Sequence, residues 1–244
     1  MRRLDRSGRT AYNFACTLRT LGARQGNEPL LIAAVDAFEA VLEVRKREAN
    51  PGGWAKTQRQ LGETLRMLGQ RSGDREVLTK AVATFGAALG ETARDASPLD
   101  WGRTKMALGI ALARLGEREE GSTRLLEARA AFQDALGELT ADRVPLEWAK
   151  LQNNLGNLFM ELGRRETETA RLRQAADAYR LALVGQPRDL VPLDWAQTQH
   201  NLGAVLEVIG ERERDMAALG SVRSSVYPAA GPVTWRPLSA PDGG

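Results

Sequence analysis

Apolar side chains return along this 244-residue chain at steps of seven, four and three, which sets them on one face of a helix. One run passes from Trp101 through Leu108, Leu112 and Leu115 to Gly116. The same columns hold Leu61, Leu65, Leu68 and Gly69, then Leu155, Phe159, Leu162 and Gly163, then Leu202, Leu206, Ile209 and Gly210. After a polar turn such as "GEREEGST" comes a second amphipathic run of Leu125, Ala128, Phe132, Ala135 and Leu136. Its counterparts are Leu78, Ala81, Phe85, Ala88, Leu89 and Leu172, Ala175, Tyr179, Ala182, Leu183. No segment alternates with the period of two that marks a half-buried strand. The pattern predicts an all-α chain of antiparallel hairpins, each with a helix A and a helix B.

The two runs recur every 47 residues, and the opening of helix A is nearly spelled out each time: "PGGWAKTQRQLG", "PLDWGRTKMALG", "PLEWAKLQNNLG" and "PLDWAQTQHNLG". Trp54, Trp101, Trp148 and Trp195 share one column. Pro98, Pro145 and Pro192 suit a first helical turn, where the missing N–H is not needed. Asp100, Glu147 and Asp194 then place a carboxylate at the positive end of the helix dipole. A unit without its Trp precedes these, with Phe14, Leu18, Leu21 and Gly22 on helix A and Leu31, Ala34, Phe38, Val41 and Leu42 on helix B. Ser7 stands at its Trp position.

Units therefore span residues 7–53, 54–100, 101–147 and 148–194, followed by a degenerate fifth at 195–226. In the fifth, Leu219, Val222 and Val226 fall on the helix B columns, predicting a short helix B near 213–226. Residues 227–244 hold Pro228, Pro232, Pro237, Pro241 and Trp235, and read as an extended or disordered tail. The glycines ending the leucine runs are expected as left-handed helix caps. Gly62, Gly109, Gly156 and Gly203 lie inside helix A, where glycine costs about 1 kcal/mol relative to Ala. Their recurrence implies close passage of helix B, with its small residues Ala81, Ala128 and Ala175 expected there. The four Trp are expected as buried wedges between hairpins.

A Leu-Gly pair on one helix, followed on the next by Ala, an aromatic four residues later and Ala three after that, resembles the tetratricopeptide repeat. Its usual unit has 34 residues, whereas these have 47; the extended unit is similar to arrays in bacterial proteins, some of the kinesin-light-chain type. The resemblance implies a right-handed α-solenoid whose helix A faces line a concave groove for a peptide or partner helix. It also implies a non-enzymatic scaffold.

Charge and chemistry refine that expectation. The chain carries 34 basic and 31 acidic residues, with a net charge of +3. Two residues beyond each Trp position stand Arg9, Lys56, Arg103 and Lys150, then Gln197. These cations predict either a basic stripe for an acidic segment or a solvated row with no partner. In the fourth unit Asn153, Asn154 and Asn157 share a helix with Lys150. The resemblance implies that Asn154 and Asn157, with Asn201, contact a ligand's backbone or carboxylate. Arg59, His200, Glu63, Met106 and Ile110 complete the candidate groove. His200 is the one histidine and Cys16 the one cysteine, so a catalytic triad, a metal cluster and a cofactor are not expected. The single thiol and the lack of a run of about 20 apolar residues lead to the expectation of a cytoplasmic protein. RNA binding and self-assembly through under-capped ends remain the alternatives, with nucleic acid disfavoured because Tyr12 is the lone groove aromatic.

Overall fold

The computed structural model describes residues 2–226, with side chains placed from 8 to 215. The described residues form nine helices and no strands. They are α1 (Arg2–Gln25), α2 (Glu28–Val44), α3 (Pro51–Ser72), α4 (Arg75–Glu91), α5 (Pro98–Gly116), α6 (Thr123–Leu136), α7 (Pro145–Arg165), α8 (Ala170–Val184) and α9 (Pro192–Val226). Odd helices are the predicted helices A and even ones the helices B. Each helix packs on its neighbour in sequence, which makes an all-α, solenoid-like array. Successive odd helices also touch one another, whereas successive even helices do not among the described residues. The array therefore bends with the odd helices on its inner side.

The helix B columns form the core. Phe38, Phe85, Phe132 and Tyr179 are at most 2% exposed, and Leu31, Leu78, Leu125 and Leu172 are completely buried. Each removes a large apolar side chain from water, worth roughly 1.5–3 kcal/mol. The mid-helix glycines fit against these rings. A Cβ added at Gly62, Gly109 or Gly156 would stand 2.9, 2.6 or 2.4 Å from the ring of Phe85, Phe132 or Tyr179. The close passage is thus with the aromatic side chain rather than with Ala81, Ala128 and Ala175. The glycines ending the leucine runs serve the same purpose: at Gly69, Gly116 and Gly163 a Cβ would lie 2.9, 2.8 and 2.6 Å from Leu78, Leu125 and Leu172. They are not left-handed caps. Positive φ occurs at Gly26 (66°) and Gly73 (74°) in the hairpin turns. There Asn27 and Asp74 follow and cap the next helix by accepting from Leu30 N–H at 3.1 Å and Glu76 N–H at 2.8 Å.

The Trp column departs from expectation. All four are half-buried, not core wedges, and three lie under cations from the preceding inter-unit loop. Arg47, Arg94 and Arg188 sit 5.5, 4.7 and 5.2 Å from the ring centroids of Trp54, Trp101 and Trp195. Arg47 and Arg94 continue to Glu91 and Glu138, so each guanidinium is held between a ring and a carboxylate of the next hairpin. Ala141 occupies the corresponding place before Trp148, whose ring instead lies against Gly185 at the end of α8.

The fifth unit also departs. No turn separates a helix B; residues 192–226 form one continuous helix. The segment "ERERDMA" consists mainly of helix formers and lacks the left-handed glycine of the first two turns; the third and fourth units, with Glu120 and Thr167 in the column of Arg214, turn without one. The predicted tail at 227–244, with Trp235, lies outside the described residues.

Candidate functional site

The inner side of the array opens into grooves between odd helices. One of about 610 Å³ lies among α5, α7 and α9, with Tyr179 of α8 behind it. The register of α7 and α9 brings Asn153, Asn157, His200 and Asn201 to its surface together with Gln197. The amides are linked across the two helices. Asn201 donates to the side-chain oxygens of Asn157 and Asn153, at 3.2 and 3.4 Å, and Gln197 donates to Asn201 at 2.9 Å. The Tyr179 hydroxyl donates to Asn157 at 2.8 Å; burial pushes its pKa well above the ordinary value, so it stays a neutral donor. Asn153 and Asn157 are thus engaged through their oxygens, which orients their NH2 groups as donors for a ligand carbonyl or carboxylate. Arg114 and Arg164 flank this floor, opposed by Glu117 and Glu161.

Asn154 does not join the cluster. It borders a small hollow of about 20 Å³ beside Ile110, Phe132 and Leu158, although Asn157 reaches both spaces.

A second groove of about 330 Å³ gathers Arg59, Glu63, Arg103, Met106 and Ile110 with Arg19. The sequence reading had most of these residues but passed over Arg19, whose column gave no signal. Burial works against the Glu63 carboxylate, but hydrogen bonds and charge from Arg66, backed by Arg19 and Arg59, outweigh it and hold its pKa below the ordinary value. The Nε of Arg19 is buried without a hydrogen-bond partner. The surface is therefore mixed in charge, with apolar ground supplied by Met106 and Ile110.

Two of the four cations in the basic column are answered by carboxylates. Arg103 makes two 2.8 Å hydrogen bonds to Glu147, which raise its pKa further, and Lys150 lies 3.5 Å from Asp194. In each pair the first-turn acid of the next unit meets the cation of the preceding one. Lys56 lies 5.7 Å from the Tyr12 ring centroid and borders a separate hollow with Arg59, which reaches Asp100 at 3.7 Å. Arg9 is exposed on α1, and Gly53 stands where the other units carry their first-turn acid. The cations form a charge ladder between units more than a uniformly positive stripe.

A second set of inter-unit contacts comes from a column outside the groove expectation, in which Arg24, Arg71, Arg118, Arg165 and Arg212 recur every 47 residues. Arg165 at the end of α7 donates to the carbonyls of Gly116 and Gly121, each at 2.8 Å, and Arg212 on α9 donates to those of Gly163 and Glu166, each at 2.8 Å. These arginines satisfy the exposed end of the preceding helix A.

Among the described residues no cluster of three His, Cys, Asp or Glu could hold a metal ion, and no helix is long and apolar enough to cross a membrane. What the grooves present is a row of amide donors, mixed charges and short apolar stretches. Comparison with protein-family models finds none that matches the chain, and comparison with curated proteins finds no match.

Proposed function

We propose that the protein is a non-enzymatic interaction scaffold, an extended tetratricopeptide-type array that holds a peptide or partner helix along its odd helices. A single observation carries this reading: the groove of about 610 Å³ among α5, α7 and α9, whose linked amides leave NH2 donors in a row across two units. Such donors match the evenly spaced carbonyls of an extended backbone. Arg164, only loosely paired with Glu161 at 3.9 Å, leaves room for an acidic side chain on that ligand beside the tighter Arg114–Glu117 pair, and the second groove adds an apolar patch. The pairing of Arg103 and Lys150 with acids weakens the case for RNA, which requires an unopposed positive face and stacking aromatics. A reducing, cytoplasmic setting suits the single free cysteine.

The test is selection of binders from a random peptide display library on the full chain, followed by titration of the chosen peptides against variants. Asn153→Ala with Asn201→Ala is expected to lower affinity at least tenfold, the equivalent of about 1.4 kcal/mol, without changing helicity. Lys150→Ala is expected to change it little. Peptides that bind the double variant as well as the parent, or a library that yields no binder, would overturn the proposal.

A further inference from the structure

The second groove gathers more positive charge than its acids answer. Arg66 on α3 takes both oxygens of Glu63, one turn before it, at 2.7 and 3.1 Å. Arg103 on α5 takes both oxygens of Glu147, each at 2.8 Å. Two guanidiniums remain on the groove wall, Arg19 of α1 and Arg59 of α3. Arg59 reaches Asp100 at 3.7 Å, and Asp100 is half-exposed and shared with Arg103 at 3.5 Å, so that contact is weak. Arg19 has no ion-pair partner among the described residues, and its Nε is buried without a hydrogen bond. Both stand near enough to Glu63 for their charge to act on its carboxylate. Three guanidiniums therefore gather about one acid that Arg66 already occupies.

The repeat shows how the excess arises. Arg19 and Arg66 stand in one 47-residue column. Three residues before Arg66 is Glu63, whereas three before Arg19 is Cys16. The first unit thus carries the cation without the acid. The third unit carries neither, with Ile110 and Ala113 in the two columns. A buried donor lacking an acceptor costs free energy, and an incoming oxyanion removes that cost.

We propose that the second groove is a phosphate-binding site, in which Arg19 and Arg59 hold the oxyanion from α1 and α3 and the Gln60 amide donates beside them. The two guanidiniums left over match the two charges of a phosphate dianion, whereas a single carboxylate would leave one of them unanswered. Guanidinium forks present paired N–H donors suited to such an anion. Glu63 and Glu147 do not repel it fully, because each is already held through both oxygens. Met106 and Ile110 of α5 line the same groove and offer apolar ground to whatever group carries the phosphate. The site is distinct from the amide groove among α5, α7 and α9 and does not depend on it.

Calorimetric titration of the full chain with inorganic phosphate at about pH 8, where phosphate is mainly dianionic, is expected to show one saturable site. Cys16→Glu gives Arg19 the acid that Arg66 has, keeps both arginines, and is expected to weaken binding at least about tenfold. Arg19→Gln should do the same with unchanged helical circular dichroism. Asn153→Ala with Asn201→Ala, which disables the amide groove, should bind phosphate as the parent does. Acetate is expected not to displace the phosphate. Phenyl phosphate that binds more tightly than inorganic phosphate assigns the site to an ester resting on Met106 and Ile110, and equal binding assigns it to free phosphate; both uphold it. Absence of saturable phosphate binding overturns the proposal. So does undiminished binding in both Cys16→Glu and Arg19→Gln, or acetate that competes as well as phosphate.

Discussion

The contact between glycine and ring in each hairpin yields a prediction in which one substitution has opposite signs at two sites. In Gly156→Ala the new Cβ would lie 2.4, 2.6 and 2.8 Å from Cε1, Cδ1 and Cζ of Tyr179. Carbon atoms attract best at about 3.5–4.0 Å, so the ring must retreat by more than an ångström. It has little room, being 2% exposed and tied by its hydroxyl to Asn157 at 2.8 Å. Overfilling such a site costs about 1–3 kcal/mol, and the upper part of that range applies here. The better helix propensity of Ala returns about 1 kcal/mol. The net expectation is a loss of about 1–2 kcal/mol, or roughly 2–8 °C in melting temperature for a chain of this size.

Gly86 supplies the control. It lies inside α4, is exposed, and has no heavy atom within 4 Å of a built Cβ. Gly86→Ala should collect the helix propensity alone and stabilise by about 1 kcal/mol. The cost should also grade along the array, smallest at Gly62 (2.9 Å), larger at Gly109 (2.6 Å) and largest at Gly156 (2.4 Å). Urea denaturation followed by circular dichroism gives the ranking, and Tyr179→Leu combined with Gly156→Ala should cost less than the two changes summed. If Gly156→Ala proves as stable as the parent, the explanation of the repeat's glycine column is wrong.

Three further outcomes follow from the inter-unit contacts. Arg165→Ala leaves the Gly116 and Gly121 carbonyls without their charged donor and should cost about 1.5–3 kcal/mol; Arg165→Lys should not restore it fully, because one ammonium cannot span both carbonyls and Glu161. Thermal denaturation checks both. Ala141→Arg should place a guanidinium over Trp148 as Arg94 lies over Trp101, 4.7 Å from the centroid, and raise stability by about 0.5–1 kcal/mol; an unchanged melting temperature would show that Gly185 already fills that side of the ring. Glu63 has a pKa held below its ordinary 4.5, so the stability it contributes is fully present above that value and drains away as pH falls through its lower folded value. The stability gap between parent and Glu63→Gln should therefore narrow on acidification below about pH 4.5, and a pH-independent gap would contradict the assignment.

Most of the scaffold was legible because the signal is periodic. The helix B columns predicted the buried Leu, Ala and aromatic series, and the prolines at 51, 98, 145 and 192 mark where odd helices start. The amide cluster was legible in part: Asn153 and Asn157, one turn apart on α7, both meet Asn201 of the next unit, while Asn154, which shares the 47-residue column of Asn201, borders a different hollow. Spacing does not say how deep a column lies. Trp54, Trp101, Trp148 and Trp195 recur as regularly as the phenylalanines, yet they stand at the starts of helices where loops, not helices, cover them. Arg165 and Arg212 do belong to a column, Arg24, Arg71, Arg118, Arg165 and Arg212, but the column names only the donor; the target is a backbone carbonyl of the preceding unit, which no side-chain pattern records.

The continuous α9 shows how little separates a turn from a helix in this repeat. The first two hairpin turns depend on left-handed backbone at Gly26 and Gly73, followed by a capping Asn or Asp. The third and fourth units turn with Glu120 and Thr167 in that column and no positive φ, so the fifth unit, with Arg214 there and Asp215 after it, loses the left-handed route to a turn but not every route. Left-handed conformation costs a residue with a Cβ about 1–2 kcal/mol, while the helix gains a hydrogen bond for each residue it adds. What opposes the straight form is the apolar surface left bare at Leu206 and around Gly203. That cost is small for one residue and large for a whole face, so burial of that face, and not the local turn alone, bears on how the array ends.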